Sequence, residues 1–380
     1  MNQSQSAEEL ELQRKKKVTC NYKYKYLSQL KLNKLESYDP TYDLYAEYLK
    51  DKDNNGIRMY IRPDEDSDYY IVPGVNIVAG QTGHGKSMVA NNIAYHAVKD
   101  GKNVMFITLE ISKKKVFYQM LSIHSRTIYD KESDWISHSD IKKHKLNGNQ
   151  ESHVFNDLWK DFNQLKGNLY VIEETDFDSN SIDSLQEIMF LVEEYAQTHT
   201  GHGLDLVVID YVQLFKQYAD IRNEYEALSK WANDLRRISR NFLGQNHEIT
   251  MLLLSQLNRD AMADVTDREK KKAKNSVLPS DKKKNLPDIT IGLNQIAGSV
   301  ELCKHADTVY AIYSDDSYRA SEQAMMFMLK NRDGAASSDG VTVHMNPKYY
   351  CFGSLDEWST EYQGDMATVF DFENLPPSVL

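Results

Sequence analysis

The sequence has few of the features that mark secreted, membrane-spanning or disulfide-stapled proteins. It contains three cysteines, Cys20, Cys303 and Cys351, which are far apart and lack metal-ligand spacing. No run approaches the ~18 consecutive apolar residues of a membrane span, and the basic run near the amino terminus has no apolar segment behind it. No repeat of about 20–50 residues is visible, which argues against a solenoid or a propeller. We therefore expect a cytoplasmic protein with reduced thiols and no membrane contact.

The composition that is present is typical of a well-cored globular protein. Of the 380 residues, 41% are hydrophobic and 27% are charged. The formal net charge of −11 argues against a protein that coats nucleic acid over its whole surface. It leaves room for a local basic site.

The chain divides into three parts by composition. Residues 1–55 lack sustained apolar alternation, and we predict an extended arm with one short linker helix at Asp43–Leu49. Residues 56–357 are predicted to form one α/β domain. Residues 358–380 contain acidic residues but no lysine or arginine, and we predict a flexible acidic tail.

Short apolar runs recur through the central part of the chain, with helix-length segments between most of them. This alternation predicts a mostly parallel central sheet with crossover helices. The later runs are joined by shorter links, with Asp333-Gly334 and Asp339-Gly340 as turn signals, which predicts a carboxyl-terminal β-hairpin at the sheet edge. The runs that we assign to strands are Val75–Ala79, Val104–Leu109, Leu169–Ile172, Leu206–Ile209, Met251–Leu254, Thr308–Tyr313, Ala324–Leu329 and Val341–Met345.

The segment after the first of these runs matches the phosphate-binding pattern GxxxxGK[ST] and leads into a helical stretch. Its glycines let backbone N–H groups point at phosphate oxygens. Lys86 supplies a point charge for the β- and γ-phosphates, and the Ser87 hydroxyl supplies a ligand for Mg²⁺. The pattern predicts a nucleoside triphosphate site formed by Gly80, Gln81, Thr82, Gly83, His84, Gly85, Lys86 and Ser87.

Three other strand ends carry polar groups that this chemistry needs. Asp210 ends a buried run and is predicted to hold the metal. Glu110 follows the run after the P-loop helix. If that strand neighbours the P-loop strand, Glu110 projects at the carboxyl edge of the sheet and can activate water, although a solvated glutamate is an equal reading. Gln256 follows a further run and could contact the γ-phosphate.

Taken in order, these segments resemble the ATPase domain of the DnaB-like replicative DNA helicases, the hexameric ring helicases of superfamily 4 built on the RecA fold. The resemblance covers roughly residues 70–355. It implies a RecA-like P-loop ATPase core. The motifs that carry it are the P-loop, Phe106–Ser112, Val207–Leu214, Leu254–Arg259, Gly298–Glu301 leading to Ala306-Asp307, and Lys330–Gly334.

The resemblance also implies roles for the residues at the strand ends. Lys86 and Ser87 bind ATP and Mg²⁺, and Asp210 holds the metal through water. Glu110 activates the attacking water, and Gln256 senses the γ-phosphate.

Lys330 and Arg332 match a basic pair that, in the resembled family, reaches into the neighbouring subunit's ATP site. Their i, i+2 spacing places both on one face of a strand. The chain's own site has Lys86 but no evident arginine for the γ-phosphate. An arginine from a neighbour would make hydrolysis depend on assembly. Without the resemblance, a solvated hairpin would be the preferred interpretation.

Between Gln256 and Gly298 lies a lysine-rich stretch, Arg268–Leu286. In the resembled family this region forms a loop that faces the central channel. Backbone phosphates attract charge without base readout, so we expect the stretch to bind single-stranded DNA, with a solvated charge run as the alternative. The lysines concerned are Lys270, Lys271, Lys272, Lys274, Lys282, Lys283 and Lys284.

Together these features predict an ATP-driven homo-oligomer, a hexameric ring, that moves along single-stranded DNA in replication. Its brevity suggests a phage-encoded helicase. Only residues 1–70 precede the match, so we expect the family's long amino-terminal domain to be missing, which leaves primase and loader contacts open. Two alternatives remain: a RecA- or RadA-like strand-exchange ATPase, and a nucleotide-binding assembly or interference protein that retains the helicase fold.

Overall fold

A computed structural model of the chain describes residues 56–62, 69–177, 181–210, 224–240, 242, 248–257, 291–293, 296 and 300–354. The predicted amino-terminal arm, the lysine-rich stretch and the acidic tail lie outside these ranges. The proposed domain boundaries therefore stay predictions.

Nine strands form one large sheet in the order β11-β10-β9-β8-β3-β7-β6-β4-β5, and β1 and β2 pair separately. The strands from β8 to β5 in this order run parallel, whereas β9, β10 and β11 are antiparallel additions at one side. The strands are β1 (Ile57–Arg58), β2 (Tyr70–Ile71), β3 (Gly74–Gly80), β4 (Asn103–Thr108), β5 (Asn168–Glu173), β6 (Leu206–Asp210), β7 (Thr250–Gln256), β8 (Thr308–Tyr313), β9 (Gln323–Asn331), β10 (Ser337–Asn346) and β11 (Cys351–Gly353).

Helices cover both faces of the sheet. They are α1 (Lys86–Lys99), α2 (Lys113–Ile128), α3 (His138–Lys142), α4 (Gly148–Ser152), α5 (Trp159–Phe162), α6 (Ile182–Thr200), α7 (Glu224–Arg240), α8 (Val300–His305) and α9 (Asp316–Ala320). A π-helical turn at His153–Leu158 joins α4 to α5, and 3₁₀ turns lie at Glu132–Asp134 and Glu174–Asp176.

Alternating side chains of the central strands enter two separate hydrophobic cores. On β3, Val78 packs in the core that also contains Ile93 of α1. The preceding residue, Ile77, packs in the opposite core with Leu185 of α6 and Leu235 of α7. Because both faces are covered, these strands are apolar at nearly every position.

The α/β architecture with a mostly parallel sheet and an antiparallel carboxyl-terminal hairpin confirms the fold prediction. Each predicted apolar run coincides with an observed strand, with differences only at the ends. One turn assignment is wrong: Asp339-Gly340 lies inside β10, where the pairing with β9 shifts register between Ser337 and Val341. A β-bulge uses the same residue types as a turn, because both need unusual backbone geometry.

The condition set for Glu110, that its strand neighbours the P-loop strand, is not met. Its strand, β4, is separated from the P-loop strand β3 by β7 and β6. Chain order does not set strand order in a doubly wound sheet, so the sequence carried no signal for this arrangement. Glu110 still lies at the same edge of the sheet as the P-loop, because it follows the carboxyl end of β4 and β4 runs parallel to β6, β7 and β3.

Candidate nucleotide-binding site

The carboxyl ends of the parallel strands bring most of the predicted site residues to one edge of the sheet. Gly80, the last residue of β3, pairs with Gln256 of β7 on one side and with Ile312 of β8 on the other. Asp210, the last residue of β6, pairs with Thr108 of β4. This is the edge at which open α/β sheets bind ligands.

The P-loop crosses this edge from β3 to α1. Gly83 and Gly85 have φ angles of 83° and 97°, in the left-handed region that favours glycine. Gly85 is also the N-cap of α1, so the first amides of the helix face the loop. The local geometry is that of an anion cradle at a helix N-terminus.

Lys86 folds over this loop. Its Nζ atom donates hydrogen bonds to the carbonyl oxygens of Gly80, at 2.8 Å, and Gln81, at 3.0 Å. Burial lowers the pKa of Lys86, and the charges of Asp210 and Glu110 act in the opposite direction. An arriving phosphate would offer this ammonium group stronger acceptors than two carbonyl groups.

Asp210 is the buried acid of the site, with only 4% of its surface exposed. The Ser87 hydroxyl lies close to its carboxylate. Burial raises the pKa of Asp210 to about 6; the charge of Glu110 adds to this effect, whereas Ser87 and Lys86 oppose it. A hydroxyl and a carboxylate close together are oxygen ligands of the kind that Mg²⁺ takes in small number, alongside water and phosphate.

Glu110 and Gln256 flank this pair on different strands. Glu110 is exposed and lies two residues beyond β4. The backbone is fixed there, because the Leu109 amide donates to the Asp210 carbonyl oxygen at 3.0 Å. Gln256 is half-buried, and the amide of the next residue, Leu257, donates to the Gly80 carbonyl oxygen at 3.2 Å. All five residues with predicted cis roles therefore belong to this edge.

Lys330 and Arg332 lie at the other end of the parallel strands, where these strands begin, which we call the amino edge of the sheet. Asn331, between them, pairs with Thr308 at the start of β8. The Lys330 ammonium group donates to the carbonyl oxygens of Cys303 and Ala306, both at 2.7 Å, and of Lys304 at 3.2 Å. The length of β3 separates this edge from the P-loop by about 20 Å, so neither side chain reaches the nucleotide site of its own chain.

Sequence reasoning missed an arginine that does contact the P-loop of its own chain. Arg319 of α9 donates through Nη1 to the carbonyl oxygens of Gly83 and Ser314, each at 3.2 Å, and pairs through Nη2 with Asp316 at 2.6 Å. Because Arg319 contacts carbonyl oxygens of the loop, the expectation that the chain offers no arginine for its own γ-phosphate stays a prediction. No motif surrounds Arg319; only the N-capping Asp315 after an apolar run hints at a short helix at this edge.

His84 of the P-loop contacts the segment that leads into α9. Its Nδ1 atom accepts a hydrogen bond from the Ser314 amide at 3.4 Å, and its ring packs edge-on against Tyr313 at 5.2 Å. Burial lowers the pKa of His84 to about 4, and the charges of Arg319 and Lys86 act in the same direction. The histidine is therefore neutral at pH 7 and serves as an acceptor.

Within the described ranges, no group of three or more His, Cys, Asp and Glu side chains could hold a metal ion. A metal at this edge would therefore rely on Ser87, Asp210, water and the nucleotide itself. The predicted DNA-binding lysines, Lys270 to Lys284, lie outside the described residues, and their role stays a prediction.

A P-loop on a central strand of a mostly parallel sheet, with a buried aspartate at a strand end beside it, defines an α/β nucleotide-binding protein. Residues 73–354 match the family described as the DnaB-like helicase C terminal domain. The protein belongs to this family, because the match spans most of the chain. Membership of this helicase ATPase family implies that the chain binds a nucleotide.

Two relatives are replicative helicases. The chain is 25% identical over 276 residues to the probable plasmid replicative DNA helicase of Chlamydia psittaci, which covers 71% of this chain and 49% of that protein. It is 24% identical over 276 residues to the replicative DNA helicase DnaB of Buchnera aphidicola subsp. Baizongia pistaciae, which covers 70% of this chain and 49% of that protein. The chain thus spans about half the length of the curated relatives it matches.

A solved DnaB-like replicative helicase, studied with its interactions with primase, has a similar fold. The two structures superpose with a TM-score of 0.60 at 16% identity, covering 91% of this chain and 77% of the other. This likeness supports the RecA-like fold. Among the described helices, none combines the length and the apolar character needed to cross a membrane.

Proposed function

We propose that this protein is an ATP-dependent DNA helicase that forms a homo-oligomeric ring, hexameric by analogy, and moves along single-stranded DNA in replication. The observation that carries the proposal is the division of charged groups between the two edges of one sheet. Nucleotide-binding and water-activating groups lie at the carboxyl edge, and the basic pair lies at the amino edge. Family membership supports the same reading.

In the proposed reaction, the P-loop amides and Lys86 bind the ATP phosphates. Ser87 and Asp210 hold Mg²⁺, which neutralises charge on the phosphates. Glu110 accepts a proton from the attacking water, and its exposed position gives water access to its carboxylate. Gln256 is the last residue of β7, the strand beside β3, and contacts the γ-phosphate. Loss of the γ-phosphate on hydrolysis therefore changes the contacts at the end of β7.

Arg332 completes the site of a neighbouring subunit in this proposal, and Lys330, whose ammonium group is bound to carbonyl oxygens of its own chain, holds the strand that carries it. An arginine supplied in trans stabilises the charge that develops on the transferred phosphoryl group. A head-to-tail arrangement presents the amino edge of one sheet to the carboxyl edge of the next, and such contacts close into rings when the rotation permits. Hydrolysis would then require an assembled ring.

The partners belong to the same proposal. Single-stranded DNA is the expected substrate, with the lysines between Lys270 and Lys284 as phosphate contacts. Primase is a candidate partner, because the solved relative is known for its interactions with primase. A cytoplasmic location, and a host cell for a phage-encoded protein, fit a replication role.

The alternatives are a strand-exchange ATPase and an assembly or interference protein. The curated relatives are replicative helicases, which favours the motor. Strand displacement from a forked DNA separates the motor from both alternatives. We expect displacement with ATP, none with a non-hydrolysable analogue, and none with Lys86→Ala. Electron microscopy of the same sample should show ring-shaped particles. Filaments without displacement would favour the strand-exchange reading, and ATP-dependent dimers without displacement would favour interference.

A further inference from the structure

Asp307 lies behind Arg332 and contacts both the start of the P-loop strand and Arg332 itself. Its carboxylate is buried, with 5% of the residue exposed. One oxygen, Oδ2, accepts a hydrogen bond from the Val75 amide at 2.9 Å. The other, Oδ1, lies 2.9 Å from Nη1 of Arg332 and 3.5 Å from Nη2 of Arg240.

The main chain holds this carboxylate firmly. The Asp307 amide donates to the Val75 carbonyl oxygen at 2.6 Å, so backbone and side chain are both bound to the start of β3. Gly74 makes room for it, because a Cβ atom there would lie 2.3 Å from Oδ2. With Oδ2 fixed, the position of Oδ1 is fixed as well.

Arg332 is consequently oriented from two sides. Its amide donates to the Asp307 carbonyl oxygen at 2.9 Å, and its Nη2 atom donates to the Lys304 carbonyl oxygen at 3.3 Å. A guanidinium group has five N–H donors, so these contacts leave donors for a phosphate. Fixing such a group in advance lowers the ordering cost of a catalytic contact.

We propose that Asp307 is a positioning residue, which holds the Arg332 guanidinium group in the orientation that serves the neighbouring subunit's ATP site. This inference rests on the proposed trans role of Arg332. It adds that the start of a subunit's own P-loop strand sets the geometry of the arginine that the subunit lends to its neighbour. Asp307 acts through Arg332, because its two carboxylate oxygens are bound to the Val75 amide and to the guanidinium groups of Arg332 and Arg240.

The test compares Asp307→Asn with Arg332→Ala in ATP binding and in DNA-stimulated hydrolysis. Asparagine keeps an oxygen for the Val75 amide and removes the charge that orients Arg332. We expect ATP affinity to stay near that of the unchanged protein and kcat to fall by roughly 10- to 100-fold. Arg240→Ala is the matched control, because it removes the other ion pair of the same carboxylate, and it should leave kcat within about twofold.

Mixing experiments show whether the defect acts in trans. Asp307→Asn subunits keep an intact P-loop, so mixing them with Lys86→Ala subunits, whose arginines are intact, should restore part of the hydrolysis. Mixing them with Arg332→Ala subunits should restore none, because both proteins then lack a competent arginine. If asparagine prevents folding, Asp307→Ser is tested in the same two mixtures.

The outcomes separate the two levels of the proposal. Full activity of Arg332→Ala overturns the trans arginine and the role of Asp307 with it. An inactive Arg332→Ala with a fully active Asp307→Asn overturns only the positioning role. Restored hydrolysis in the mixture of Asp307→Asn with Arg332→Ala also overturns it, since Asp307 would then act on its own P-loop.

Discussion

At the scale of single residues, burial and neighbouring charge determine the state of the groups around the P-loop. Lys86 and Asp210 are both desolvated, and each offsets part of the other's cost through charge. Glu110 is exposed and lies where water has access. Lys86 contacts the phosphate-binding loop before any reaction, whereas Glu110 is open to water. Replacing each side chain should therefore cause a different defect.

We expect Glu110→Gln to bind ATP normally and to lose turnover, whereas Lys86→Ala weakens ATP binding itself. Glutamine keeps the size of the side chain but cannot accept a proton, while loss of Lys86 removes a charge that contacts the phosphates before reaction. Equilibrium binding of a fluorescent ATP analogue and single-turnover hydrolysis measure the two effects. Normal hydrolysis by Glu110→Gln would remove Glu110 from the catalytic role.

His84 predicts an acid-sensitive P-loop. Its pKa is about 4 in the folded chain and 6.5 for the free side chain. Because this pKa is lowered on folding, the unfolded chain binds a proton at a higher pH than the folded chain does. The contribution of His84 to the free energy of unfolding is therefore fully present above pH 6.5 and is lost as the pH falls through 4. His84→Asn keeps a neutral acceptor for the Ser314 amide, so we expect it to remove about 1–3 kcal/mol of this loss.

Urea unfolding at pH 7.5 and pH 4.5 measures the effect. His199→Asn, on the exposed surface of α6, is the control and should change the pH dependence little. Equal acid sensitivity of His84→Asn and the unchanged protein would show that His84 does not stay neutral in the fold.

At the scale of secondary structure, the apolar runs predicted the strands because both faces of this sheet are covered. The same runs could not give strand order, so the separation of β4 from β3 was missed. The P-loop, Asp210, Glu110 and Gln256 were predictable, because each follows a strand and parallel strands end at one edge. Arg319 was not, since it reaches the loop from a short helix that no motif marks.

Lys330 also has a role within its own chain that spacing alone does not reveal. All three donors of its ammonium group are used by carbonyl oxygens at the carboxyl end of α8. A positive charge there satisfies unpaired carbonyls and complements the helix dipole. Lys330 therefore links β9 to α8.

We expect Lys330→Met to lower the free energy of unfolding by about 1–2 kcal/mol, because it keeps the apolar stem and removes three hydrogen bonds, discounted for partial exposure. Urea unfolding at neutral pH checks this. Lys145→Met, at an exposed position after α3, is the control and should change stability by under about 0.5 kcal/mol. Equal stability of the two variants would contradict the capping role.

At the scale of the whole molecule, charge is distributed unevenly. A chain with a net charge of −11 concentrates seven lysines between Lys270 and Lys284. Replacing these seven with glutamine should weaken single-stranded DNA binding and flatten its salt dependence, because each lost phosphate contact reduces the number of counterions released. Fluorescence anisotropy over a range of salt concentrations measures both quantities.

The control for this experiment replaces Lys142, Lys143 and Lys145, which are exposed lysines of the described surface. Their neutralisation should leave the salt slope unchanged. An unchanged slope in the seven-lysine variant would show that the stretch does not contact DNA.

The central claim is that each ATP site is shared between subunits, and mixed assemblies test it most directly. Arg332→Ala subunits have an intact P-loop, and Lys86→Ala subunits have an intact Arg332. In a mixed ring some interfaces pair the two intact halves, so DNA-stimulated hydrolysis should exceed that of either variant alone. If labelled subunits demonstrably exchange and the mixture is as inactive as its components, Arg332 does not act in trans and the account of a shared site is contradicted.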